Sequence, residues 1–66
     1  MKIHYDEKVD ALYIRLDESN IVESEEVKEG IILDYNKNNQ VVGIEVLNVG
    51  QRIHIPDLKK VQFELT

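Results

Sequence analysis

Cysteine and tryptophan are both absent from this 66-residue chain. Without cysteine there can be no disulfide and no thiolate metal site. The only histidines, His4 and His54, lie far apart in sequence, so a structural zinc site would have to recruit carboxylates. Uninterrupted aliphatic runs do not exceed Ile31-Ile32-Leu33, far short of the roughly 20 residues that cross a bilayer as a helix. Met1 to Asp6 meets charge at once and lacks the apolar stretch of a signal peptide; the expectation is a cytoplasmic protein. Glycine occurs only at Gly30, Gly43 and Gly50, each isolated, so no phosphate-cradling loop is present. The only serines, Ser19 and Ser24, sit among acids without a neighbouring histidine, which leaves no nucleophile–base constellation. The reading is a non-enzymatic protein with no cofactor and no metal.

What the chain has is strand-forming sequence. Ile3 and Tyr5 alternate with Lys2 and His4, and Leu12, Ile14 and Leu16 alternate with Ala11, Tyr13 and Arg15. This two-residue period predicts a first hairpin turning over Asp6–Asp10. Ile31–Tyr35 and Gln40–Leu47 predict a second, turning over Asn36–Asn39, with Asn39 suited to the left-handed conformation that closes a three-residue loop. In that register Ile32, Val42 and Ile44 share one face while Leu33, Tyr35 and Val41 share the other, so both faces read as apolar. Between the hairpins, Ile21–Lys28 is extended but polar on both sides, as suits a sheet edge. Gly30 marks a bend. An offset of 30 carries Ile3-His4-Tyr5-Asp6 onto Leu33-Asp34-Tyr35-Asn36, and Ala11–Leu16 onto Val41–Val46. Two similar hairpins, related by a pseudo-twofold, would explain this echo. Beyond Leu47 the pattern predicts a helical turn in Asn48–Ile53 and a short helix beginning at Pro56. Val61–Leu65 reads as a last strand or as a helical face. The predicted fold is mainly β: a single domain over residues 1–66, with an antiparallel meander of five to six strands.

Charge is unevenly placed. The net charge is −5, and residues 17–29 hold six acids against one base, while the remainder holds seven of each. One segment therefore carries the whole imbalance, as a solvated connection or as a surface that attracts a basic protein. Glu23, Glu25 and Glu26 are its centre. Tyr13, opposite the Leu12/Ile14 face, is a further candidate for an interaction surface. Asp34 and Glu45 stand out because each interrupts an apolar strand, where an unpaired charge is costly. On one face they would form a carboxylate pair able to hold a ligand or a divalent cation. Alternatively, Asp34 would accept backbone or tyrosine hydrogen bonds and Glu45 would pair with Arg15, Arg52 or a lysine. Nucleic-acid binding is disfavoured: the bases are dispersed, with only Arg52, His54, Lys59 and Lys60 near one another. A chain of this size has a marginal core and no covalent staple, which makes a homodimer the expectation.

Tyr5-Asp6, Asp10–Leu16, Glu26–Tyr35 and Val41–Leu47, in this order and spacing, resemble the small prokaryotic family catalogued as domain of unknown function 2283. The resemblance covers about residues 1–50 and departs at the second hairpin turn, where Asn39 replaces a usual glycine. It implies a compact, mainly β cytoplasmic protein without an established activity. It also implies an antitoxin-like role, because family members accompany small ribonuclease-like toxin candidates; it assigns no functional residue.

Overall fold

Alternation of Val, Ile, Leu and Tyr with polar residues produces five strands in the computed structural model, which describes residues 1–66 throughout. They are β1 (Lys2–Asp6), β2 (Ala11–Arg15), β3 (Glu23–Lys28), β4 (Ile31–Tyr35) and β5 (Val41–Val46). All pair antiparallel in one sheet of order β1-β2-β5-β4-β3. Residues 16–22 carry the chain from β2 past the ends of β5 and β4 to the far edge. Val42 O accepts from the amides of both Leu16 and Asp17, and the Val22 amide donates to Tyr35 O. The polar strand expected at an edge is there, as β3.

The echo in the sequence is an echo in the ladder. Ile3 pairs with Ile14 as Leu33 pairs with Ile44, each residue 30 positions on. Where the hairpins meet, Tyr13↔Glu45 maps onto Arg15↔Gly43 and Ile14↔Ile44 maps onto itself. The local twofold thus passes through the Ile14–Ile44 pair.

The second hairpin turns over three residues, as expected. The Asn36 amide donates to Gln40 O at 3.0 Å, and Asn39 is left-handed at φ 60°. Buried Asn36 holds this loop, its Oδ1 accepting from the amides of Asn38 and Gln40. The faces nevertheless differ from those expected. A bulge follows the turn: Tyr35 pairs with Val41 but Asp34 pairs with Gly43, which leaves Val42 as an extra residue. One inserted residue exchanges the sides of everything beyond it. Ile44 therefore lies with Leu33 rather than Ile32, and the two faces are not equally apolar.

Paired residues point to one side, so the register gives each face in rows. One face carries Ile3–Ile14–Ile44–Leu33 across four strands, ending on Glu25 of β3. Beside it runs Tyr5–Leu12–Val46–Ile31, ending on Lys28. The other face carries His4–Tyr13–Glu45–Ile32–Glu26 and Lys2–Arg15–Gly43–Asp34–Ser24. One face is thus apolar and the other polar.

The chain has no second sheet and no α-helix to cover the apolar face. Its central side chains are half-buried and Ile3 is 51% exposed, while the only buried apolar residues are Ala11, Val42 and Val49. The two expected helical segments are 3-10 turns, Val49–Gln51 and Ile55–Lys60, the second with Pro56 at its start. Val61–Leu65 is neither helix nor paired strand. Val61, Phe63 and Leu65 stand 62%, 75% and 86% exposed. Alternation favours an extended chain, but a strand also needs a partner ladder, and β5, which precedes the tail, is already paired on both sides.

Candidate functional site

The acidic segment folds into β3, whose six residues are all exposed and whose outer edge has no neighbouring strand. The sheet separates its glutamates. Glu23 and Glu25 pair with Tyr35 and Leu33 and stand at the margin of the apolar face, while Glu26 pairs with Ile32 on the polar side. Glu26 has a local task as well: its Oε2 accepts the Gly30 amide at 2.9 Å and so closes the turn into β4. That turn needs Gly30, which has φ +78° and would direct a Cβ to within 2.6 Å of Arg52 Nη2. Arg52 donates to Glu29 O at 2.8 Å and Leu47 O at 3.0 Å, clamping the β3–β4 turn to the end of β5.

Behind the edge lies a polar network. Asp34 is 5% exposed, and both of its oxygens are engaged: Ser24 Oγ donates to Oδ1 at 2.6 Å and Tyr13 Oη donates to Oδ2 at 3.1 Å. Arg15 Nη1 donates to Tyr13 Oη at 3.2 Å, and its Nε and Nη2 donate to Asp17 O and Ser19 O, each at 2.6 Å. The bond to Tyr13 raises the Arg15 pKa further above its ordinary value. Asp17 in turn accepts from the side chain and amide of Ser19, which lowers its pKa. The chain of contacts Ser24–Asp34–Tyr13–Arg15 thus ties edge strand β3, through β4 and across β5, to β2 and the crossing segment. A Cβ on Gly43 would lie 2.6 Å from Tyr13 Oη and 2.8 Å from Asp34 Oδ2, so the absence of a side chain there lets the network cross β5.

Of the residues singled out in the sequence, Glu23, Glu25 and Glu26 share one exposed strand, though not one face. Tyr13 is half-buried with its hydroxyl directed into the network. Asp34 and Glu45 come to the same face because of the bulge, but Asp34 pairs with Gly43 while Glu45 lies between Tyr13 and Ile32. The expected pairing of Glu45 with an arginine does not form, since Arg15 and Arg52 direct their guanidinium groups to backbone carbonyls and to Tyr13. No group of three or more His, Asp or Glu side chains converges as a metal site would require.

Asp10, read in the sequence only as part of the first turn and of a family motif, is the hub at the other end of the sheet. Left-handed at φ 54°, it turns the first hairpin, accepts Tyr5 Oη at 2.7 Å and receives the Gly50 amide at 3.0 Å. Its own carbonyl accepts the amide of buried Val49. The carboxylate beside Tyr5 stabilises the protonated phenol and pushes its pKa up to about 12. The available signal was Asp in a turn before a strand, a residue that tolerates the left-handed region.

No helix is long and apolar enough to cross a membrane. No curated protein and no solved structure matches the chain. A family model described as a protein of unknown function, DUF2283, matches residues 2–49, which contain the whole sheet and its turns. The chain belongs to that family.

Proposed function

We propose that this protein is a non-enzymatic, cytoplasmic interaction module of the antitoxin-like kind, which self-associates and binds a basic protein partner along β3. The observation that carries the reading is a wholly exposed edge strand that presents Glu23, Glu25 and Glu26 and has free backbone groups on its outer side. An extended basic segment could add to such an edge through main-chain hydrogen bonds, with Lys or Arg set against the glutamates. The polar network supports the role by holding β3 in place through Ser24 and Asp34. A divalent-cation site on Asp34 and Glu45 has less in its favour, because Tyr13 and Ser24 already occupy both oxygens of Asp34.

The test is calorimetry against a small basic ribonuclease-like protein, using the wild type and the Glu23→Gln/Glu25→Gln/Glu26→Gln variant. The variant is expected to bind at least about tenfold more weakly, and wild-type binding should weaken as salt rises. Equal affinity of the two chains would contradict the proposal.

A further inference from the structure

The register leaves a sheet one layer thick, apolar on one side and without a cover. Domains are stable when such a face is buried against a second layer. Two whole-molecule quantities show how much is missing. The chain exposes 5420 Å², whereas a folded monomer of 7.7 kDa exposes about 4,300 Å². Its radius of gyration is 12.8 Å, against about 11 Å for a compact domain of this length. The excess, roughly 1,100 Å², is shared between this face and the exposed tail, and is of the order that one partner buries in a stable protein–protein interface, about 800 Å² or more.

We infer that the cover is the same face of a second copy, packed sheet on sheet into a two-layer β-sandwich. This deepens the self-association proposed above by assigning it a surface and a geometry. The row Ile3–Ile14–Ile44–Leu33 is the centre of the interface, with Ile14–Ile44, the pair on the local twofold, in its middle. The margin has the character of an interface rim: Glu23, Glu25 and Lys28 of β3 line one side, charged and exposed. Facing the two apolar rows with two more matches like with like in shape and area. The chain's own tail is a poorer cover. Val61, Phe63 and Leu65 would supply a strip one strand wide over a face whose apolar rows span four strands. Packing through this face also leaves the outer edge of β3 open in both copies, so the dimer carries two acidic edges.

The inference is tested by sedimentation velocity together with isotope-filtered NMR on an equal mixture of labelled and unlabelled full-length chains. The wild type is expected at twice the chain mass, with interchain contacts among the methyls of Ile14, Leu33 and Ile44. Ile44→Glu should raise the dissociation constant at least about thirtyfold, while His4→Glu, on the opposite face, should leave the doubled mass intact. If Ile44→Glu fails to fold, the wild-type interchain contacts decide the matter alone. A wild type that stays monomeric overturns the inference, whether its apolar face is bare or covered by its own Phe63. So does a dimer whose interchain contacts run along the outer edge of β1 or β3, or lie on the Asp34 face. A monomer that still binds the basic protein through β3 would sink this inference and leave the partner proposal standing; a sandwich that ignores that protein would do the reverse.

Discussion

Asp10 shows how much of this fold rests on single polar groups. It sits at the turn of the first hairpin yet accepts from Tyr5 and from Gly50, and so joins β1 to the 3-10 turn that follows β5. Because the Tyr5 phenol donates to a carboxylate, its pKa lies at about 12 in the folded protein, against about 10 when unfolded. A group whose pKa rises on folding stabilises the fold fully below its unfolded value, and that contribution fades as pH climbs through the folded value. The Tyr5 contribution is therefore complete below about pH 10 and lost toward pH 12. A spectrophotometric titration should show one of the three tyrosines ionising near pH 12, and Asp10→Asn should return it toward 10. A late tyrosine that is insensitive to Asp10→Asn would show that the hydrogen bond is not the cause.

At the scale of elements, β1 and β2 were readable because period-two alternation is a local property that both carry, and β4 because Ile, Leu and Tyr favour strands. Ile3/Tyr5, Leu12/Ile14 and Ile31/Leu33 needed no tertiary information to be placed. The edge position of β3 was equally readable, since Glu23, Ser24, Glu25 and Glu26 leave it no apolar face to bury. The sides of the second hairpin were not readable. The loop length follows from Asn36–Asn39, but the bulge at Val42 depends on what β4 and β2 require of β5, and no residue announces it. For the same reason Asp34 could be recognised as anomalous, and a tyrosine as a donor to it, while which tyrosine, and the parts of Ser24 and Gly43, could not be read. The tail misled because Val61, Phe63 and Leu65 alternate without a ladder to join. The cross-strand network makes its own prediction. Gly43→Ala forces Tyr13 Oη and Asp34 Oδ2 away from β5 and should cost about 1–3 kcal/mol in urea unfolding. Unchanged stability would mean that the Tyr13–Asp34 bond adjusts freely and does not hold the sheet together.

At the scale of the whole molecule, the uncovered apolar face outweighs the other features. Buried side chains are few and mostly small, and Asp34 and Asn36 make up part of that set. Such a core offsets little of the conformational entropy of 66 ordered residues. The hydrophobic contribution that folding needs is present in the sequence, but it lies on the outside of one subunit. If the inferred dimer supplies it, folding and association are a single equilibrium, and stability depends on protein concentration. On the proposed reading the acidic edge and the apolar face do different jobs: the face would hold two copies together, and the edges they leave exposed would be available to a partner.

Thermal unfolding followed across a range of chain concentrations tests this most directly. For a coupled dimer of two such chains the midpoint should rise by about 5 °C for each tenfold increase in concentration. A midpoint that does not move with concentration, in a cooperative transition, would mean that one chain is stable with its apolar face in water, and would contradict the account.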